Sequence, residues 1–175
     1  MKKSMFLGSL LLVSVIVQFH SLNVFSIDNT LIHFNAFKGK KVLIVNTASG
    51  SSQANQLLQL QALYEQHIDS VVVIAFPSNS FGNEPLNNDV LSHYMRDSLG
   101  ISFPIAAKSS VTGIDANIVY RWFASKSQNL ETSEKVETDF QKFLIDGKGR
   151  LVGVFDSSIS PTGTVMQNAI RMNGY

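Results

Sequence analysis

Residues 39–52 read GKKVLIVNTASGSS, an apolar run that ends abruptly in small polar residues. The unbroken aliphatic residues 42–45 predict a central strand that is covered on both faces of a sheet. Leucines then recur at helical spacing from Leu57 onward, which predicts a helix with Ser51 or Ser52 as its N-cap. Because a strand, a tight turn and a helix N-terminus form an electropositive pocket, we expect a functional site to lie at this turn.

A second apolar run and a C-terminal hairpin complete the predicted sheet. Residues 70–76 (SVVVIAF) resemble the first run in composition, and a helix between two such runs predicts a right-handed crossover that joins parallel strands. Residues 143–155 hold two apolar segments around a glycine-containing turn, as in a β-hairpin. These elements predict an α/β fold with a central mixed sheet flanked by helices. Other predicted segments are helices over residues 86–99, 118–123 and 162–172 and a solvated loop over residues 125–138.

Three sequence blocks, in order, resemble the glutathione peroxidase family. Residues 38–52 (KGKKVLIVNTASGSS), followed by LQLQALYEQH, resemble the family's KGKVVLIVNVASKCG and LEALY. Residues 76–82 (FPSNSFG) resemble FPCNQFG, and residues 138–146 (TDFQKFLID) resemble WNFxKFLID. Ordered blocks are more specific than one short motif, and the resemblance covers roughly residues 36 to 170. It implies a thioredoxin-like fold and a monomer.

The resemblance also implies where a catalytic site would lie, and every residue of that site is replaced. A thiolate reduces peroxide through a sulfenic acid, whereas a serine hydroxyl has no such oxidation step, and the chain contains no cysteine. We therefore predict that no catalytic residue is functional. The family's cysteine or selenocysteine falls on Ser51, its Gln on Ser80, its Trp on Thr138 and its Asn on Asp139, with Asn79 as a neighbour in the pocket.

Three functions are compatible with these blocks to different degrees. The sequence favours an inactive glutathione-peroxidase-like protein, with its pocket either vestigial or reused for binding. The alternative is thiol peroxidase activity in the response to oxidative stress, which the absence of cysteine disfavours. Serine hydrolysis is disfavoured as well, because Ser51 does not lie in a GxSxG elbow. The simplest role for Ser51 and Ser52 is helix capping, worth about 1 kcal/mol.

The N-terminus has the pattern of an export segment. Lys2 and Lys3 precede an apolar run over residues 6–17, and polar residues follow it. The run is shorter than the roughly 20 residues that cross a bilayer, and no clear cleavage site follows. We therefore predict a signal peptide or membrane anchor over residues 1–26 and a glutathione-peroxidase-like domain over residues 27–175. A buried N-terminal helix packed on the domain is the alternative.

Composition and charge exclude several kinds of partner. The chain has 14 basic and 13 acidic residues, without the basic stripe that nucleic-acid binding requires. Its four histidines are scattered singly, so we predict neither a metal site nor a cofactor. We expect an exported protein that is periplasmic, extracellular or membrane-anchored, with possible membrane attachment through residues 6–26. The sequence does not identify the protein or small molecule that it would bind.

Overall fold

The computed structural model describes residues 17–129, 131 and 133–172. Within this part of the chain, one hairpin pairs β1 Asn23–Phe25 with β2 Leu31–His33. A separate mixed sheet contains β3 Lys41–Thr47, β4 Val71–Pro77, β5 Lys142–Ile145 and β6 Leu151–Phe155. Its strand order is β4-β3-β5-β6, with β3 parallel to β4 and antiparallel to β5. The predicted mixed sheet and the C-terminal hairpin are confirmed.

Strand β3 is buried on both faces, as its unbroken apolar run predicts. Val42 and Ile44 belong to one hydrophobic cluster, and Leu43 and Val45 belong to the other. Successive side chains of a strand point to opposite faces, so one run of aliphatic residues supplies both halves of the core. The sheet is thereby held at the centre of the molecule, and the turn that follows β3 is fixed at its edge.

Helices cover both faces of the sheet. They are α1 Gln56–Gln66, α2 Asn88–His93, α3 Ile118–Phe123, α4 Lys126–Asn129 and α5 Thr164–Arg171. Helix α3 packs into the cluster of Val42, whereas α1 and α5 pack into the cluster of Leu43. The predicted helix over 86–99 is shorter than expected, because Asn87 caps α2 by accepting a hydrogen bond from the Val90 amide at 3.0 Å. It continues as a π-helical turn over Tyr94–Ser98.

The two C-terminal predictions differ from the structure at their ends. Helix α5 begins at Thr164 after an N-cap at Gly163, rather than at residue 162. Residues 125–138, predicted as a solvated loop, include the single turn α4, and both Asn129 and Val136 are buried. Asn129 donates to the carbonyls of Trp122 and Phe123 at 2.9 and 3.0 Å. This side chain satisfies the end of α3, which a polar composition alone does not reveal.

Residues 19–26 are part of the folded domain, so a domain boundary at residue 27 is placed too late. Phe19, Leu22 and Val24 are buried in the core, and the Phe19 ring lies 5.0 Å from that of Phe34. These core residues follow the apolar run over 6–17, in the more polar end of the predicted leader. Residues 1–16 lie outside the described residues, and the export segment stays a prediction. Among the described helices, none has the length and apolar character needed to cross a membrane.

Candidate functional site

The turn after β3 is tied to the loop that follows β4. The Gly50 amide donates to the Asn83 carbonyl at 2.9 Å, and the Ser78 amide donates to the Thr47 carbonyl at 2.9 Å. A Cβ atom at Gly50 would lie only 2.8 Å from that Asn83 oxygen, so only glycine allows this approach. The carboxyl ends of two parallel strands therefore meet here, as the sequence predicts.

Ser51 lies in this turn, but neither Ser51 nor Ser52 is the N-cap of α1. The helix begins at Gln56, and Asn55 precedes it without a side-chain cap. Short turns fill the interval: the Ala54 amide donates to the Ser51 carbonyl at 3.0 Å, and the Gln56 amide donates to the Gln53 carbonyl at 2.9 Å. The Ser51 hydroxyl accepts a hydrogen bond from the Gln53 amide at 3.3 Å. It caps a local turn, and the helix N-terminus lies further along the chain than predicted.

Ser80 is hydrogen-bonded to neighbouring loops. Its hydroxyl accepts from Ser78 Oγ at 2.9 Å and from the Val111 amide at 3.0 Å, and it lies 3.2 Å from Ser110 Oγ. The neighbouring Asn79 accepts from the Glu84 amide at 3.0 Å. Asn79 and Ser80 thus stabilise the loop 78–84. The Ser80 hydroxyl is already hydrogen-bonded to residues 78, 110 and 111.

Asp139 is the predicted site residue that is most deeply buried, at 4% exposure. Its Oδ2 accepts from Asn83 Nδ2 at 2.6 Å, while its Oδ1 has no hydrogen-bond partner among the described residues. Because the carbonyl of Asn83 also binds the Gly50 amide, Asn83 links Asp139 to the turn that holds Ser51. The structure therefore brings Asp139 and the Ser51 turn together through one intermediate residue.

Thr138 is held next to Asp139 by an asparagine at the end of β3. Asn46 Nδ2 donates to the Thr138 carbonyl at 2.9 Å, and the Asn46 carbonyl accepts from the Phe140 amide at 2.7 Å. Phe140 has a φ of 60°, which is unusual for a bulky residue. The Thr138 hydroxyl itself donates to the Asp139 carbonyl at 3.1 Å. The turn over 138–140 is thus fixed by β3, and the Thr138 side chain takes part in its internal bonding.

Glu84 organises this region, and sequence reasoning did not single it out. It is 1% exposed, and its carboxylate accepts from the Ser49 amide at 2.7 Å, from Ser49 Oγ at 2.8 Å and from the Leu86 amide at 3.1 Å. Its carbonyl accepts from Lys108 Nζ at 2.8 Å. One acidic residue therefore joins three loops. The sequence shows only a Glu just before Pro85 in a polar loop. Its role does not follow from this position, because its partners Ser49 and Lys108 lie far away in sequence.

A polar cleft of about 530 Å³ lies beside these loops. Amide, hydroxyl and ammonium groups surround it, and Lys108 Nζ is already engaged with the carbonyls of Glu84 and Leu86. Such groups hydrogen-bond polar ligands without providing an acid–base pair. The lining residues are Asn79, Ser80, Asn87, Asn88, Lys108, Ser109 and Ser110.

Neither hydrolysis nor metal chemistry is supported by this arrangement. The Ser51 hydroxyl contacts the Gln53 amide, which cannot take up a proton as the base of a nucleophilic serine must. In the part of the chain that the structure describes, no three His, Asp or Glu side chains converge to hold a metal ion.

Comparisons with known proteins agree with the blocks found in the sequence. The family model described as Glutathione peroxidase matches residues 19–124. A glutathione peroxidase-like peroxiredoxin of Chlamydomonas reinhardtii is 34% identical over 146 residues, which cover 82% of this chain and 90% of the relative. The crystal structure of Trgpx in its apo form has a TM-score of 0.67 at 28% identity and covers 89% of this chain and 97% of its own.

A more distantly related structure supports the assignment of the fold and nothing further. A thiol:disulfide interchange protein of the thioredoxin family from Chlorobium tepidum TLS has a TM-score of 0.60 at 14% identity, and the match covers 90% of this chain and 98% of that protein. The thioredoxin-like architecture expected from the sequence is confirmed.

Proposed function

The chain belongs to the glutathione peroxidase family, and from this premise we propose that it is a member without peroxidase activity that is exported to the cell envelope and acts by binding. The observation that carries the proposal is the absence of cysteine from all 175 residues. Peroxide reduction by a thiol needs a thiolate that becomes a sulfenic acid and is reduced again. A serine hydroxyl stays protonated near neutral pH and has no equivalent oxidation step.

The contacts of the replaced residues support this proposal. The Ser80 hydroxyl is bonded to Ser78 and Val111, and the Asp139 carboxyl is bonded to Asn83. These bonds stabilise loops, whereas a peroxidatic sulfur would need donors directed at itself. The region around Ser51 thus has the bonding pattern of a structural element.

The polar cleft is the feature that favours a binding role over a purely structural one. Its amide and hydroxyl groups suit an uncharged polar ligand, such as a peptide backbone or a polyhydroxylated molecule, because each can donate or accept a hydrogen bond. The cleft lies next to Ser80 and is open to solvent at Asn79. Thiol peroxidase activity is the alternative that family membership favours, and it would require a thiol, which this chain does not contain.

A steady-state assay tests the proposal. The purified protein is expected to reduce hydrogen peroxide and lipid hydroperoxides no faster than the same protein after heat denaturation, with either glutathione or thioredoxin as the reductant. The Chlamydomonas reinhardtii peroxiredoxin, assayed in parallel, shows that the conditions support turnover. Turnover above the denatured control, lost in Ser51→Ala, would overturn the proposal.

A single cysteine tests how much of the site's environment remains. In Ser51→Cys we expect a thiol whose pKa lies slightly below the usual value of about 8.5, because the Gln53 amide remains next to residue 51 but α1 begins only at Gln56. Adding Asp139→Asn removes a neighbouring carboxyl and should lower the thiol pKa further. The pH dependence of iodoacetamide alkylation measures both values.

Ser52→Cys is the matched control, since Ser52 is exposed in the same turn. Its thiol should titrate at the usual value and be indifferent to Asp139→Asn. If the Ser51→Cys thiol behaves in the same way, residues 51 and 139 do not share an environment, and the link through Asn83 has no electrostatic consequence.

A further inference from the structure

The described chain enters the fold at Val17, and two side chains fasten this residue to the domain. The Val17 amide donates to Gln128 Oε1 at 2.8 Å, and Trp122 Nε1 donates to the Val17 carbonyl at 2.8 Å. Two residues later, the Phe19 ring packs 5.4 Å from the Trp122 ring. Both backbone polar groups of Val17 are therefore satisfied by α3 and α4, and the chain is fixed from this residue onward.

No linker separates this anchored residue from the apolar run of the sequence. The run covers residues 6–17 and so ends at the residue that the domain holds. A flexible polar linker would let the domain move freely above a bilayer. Here any bilayer that takes up the run would lie against the surface around Val17.

That surface carries an apolar groove of about 320 Å³. Val17, Leu22, Ile118 and Trp122 line it together with Ser125 and Gln128 at its edge. Leu22 and Trp122 are buried, at 2% and 4% exposure, and form its floor, whereas the aliphatic side chain of Ile118 is 42% exposed. Arg121 also lines the groove and is exposed, and Lys126 is exposed on the neighbouring helix α4. Apolar side chains flanked by Arg and Lys match the boundary between acyl chains and anionic headgroups.

We propose that this groove face, defined by Val17, Leu22, Ile118, Arg121 and Trp122, lies on the surface of a lipid bilayer that holds the N-terminal apolar run. The inference rests on the proposed export, and it adds the orientation of the domain on the membrane. Lipid is favoured over a soluble partner because the apolar run reaches the domain at Val17, which itself lines the groove.

Trp122 allows a direct test, because it is the single tryptophan of the chain. The full chain is reconstituted into vesicles of phosphatidylcholine and phosphatidylglycerol, in which part of the phosphatidylcholine carries bromine at the carbonyl end or at the methyl end of its acyl chains. Bromine quenches indole only at short range. Trp122 is only 4% exposed and lies beneath the groove surface, so we expect partial quenching that is stronger with the lipid brominated near the carbonyl end than with the other lipid.

Two charged variants separate this face from the rest of the surface. Ile118→Asp places a carboxylate against the acyl chains and should reduce the quenching, because the domain tilts about Val17 away from the bilayer while its N-terminal run keeps the protein on the vesicles. Val165→Asp is the matched control, because Val165 is 54% exposed on α5, which packs on the other face of the sheet. Its quenching should equal that of the unmodified chain. Circular dichroism of both variants confirms that they are folded.

Three results would overturn the proposal. They are a chain that does not bind the vesicles, a bound chain whose Trp122 is not quenched, and quenching that Ile118→Asp leaves unchanged. If a second copy of the chain or the N-terminal run occupied the groove in place of lipid, Trp122 would not be quenched in the bound chain. None of them bears on peroxidase activity, so a failure here is distinguishable from a failure of the proposed function.

Discussion

Glu84→Ala is expected to lower the free energy of unfolding by about 3 kcal/mol, because hydrogen bonds to a buried carboxylate are strong and their donors are left unpaired. The substitution removes the acceptor of the Ser49 amide, the Ser49 hydroxyl and the Leu86 amide together. The turn after β3 then loses its side-chain attachment to the loop that contains Ser80 and keeps only the backbone bonds of Gly50 and Ser78. Urea denaturation monitored by circular dichroism measures the change.

Two further variants show whether the carboxylate itself is responsible. Glu84→Gln keeps one acceptor oxygen and should cost less than Glu84→Ala. Asp69→Ala removes an exposed carboxyl and should change stability by no more than about 0.5 kcal/mol. If Glu84→Ala were as mild as Asp69→Ala, the three loops would be held by their own backbone contacts, and Glu84 would not organise the site.

Raising the pH from 8 to 10 is expected to stabilise the protein, because burial lowers the pKa of Lys142 from its usual 10.5 to about 8. The side chain is fully buried, and its Nζ donates to the carbonyls of Phe140 at 2.8 Å and Ser157 at 3.3 Å. Between these two pKa values the unfolded chain binds a proton that the folded chain has lost. Stability therefore rises with pH in this window, by at most about 1.4 kcal/mol per pH unit and by up to about 3 kcal/mol in total.

Lys142→Met isolates this contribution. The variant keeps an unbranched side chain in the same space and cannot titrate, so its stability should rise much less between pH 8 and pH 10. A smaller rise should remain, because burial also lowers the pKa of Lys41. Above this range the raised pKa of the buried Tyr120 acts in the opposite direction, because the unfolded state then loses a proton that the folded state retains. Equal pH dependence in both proteins would show that Lys142 does not titrate in this window.

The parts of the fold that depend on local pattern could be predicted from the sequence. The aliphatic run at residues 42–45 predicts a strand buried on both faces, and the structure confirms this strand. The end of the predicted leader at residue 26 does not follow from local pattern, because Phe19, Leu22 and Val24 alternate with polar residues after the apolar run. Their burial depends on Phe34 and Trp122, which come from elsewhere in the chain.

The candidate site could be located from the sequence, but its bonding could not. Motif resemblance identified Ser51, Ser80, Thr138 and Asp139, and the structure links Asp139 to the Ser51 turn through Asn83. The sequence of residues 51–55 has no hydrophobic periodicity that would distinguish short turns from the first turn of a helix. The bonds of Ser80 to Val111 and of Glu84 to Ser49 do not follow from local pattern either, because they join residues more than 30 positions apart in sequence.

A single-turnover peroxide measurement tests most directly whether this chain lacks peroxidase chemistry, because it does not depend on the identity of a reductant. The purified protein is mixed with one equivalent of hydrogen peroxide, and peroxide consumption and intact mass are followed in parallel. We expect no rapid consumption, and only slow addition of oxygen to methionine over long times. Rapid consumption of one equivalent, with a matching change in the intact protein that Ser51→Ala abolishes, would contradict the claim that this family member has no peroxidase activity.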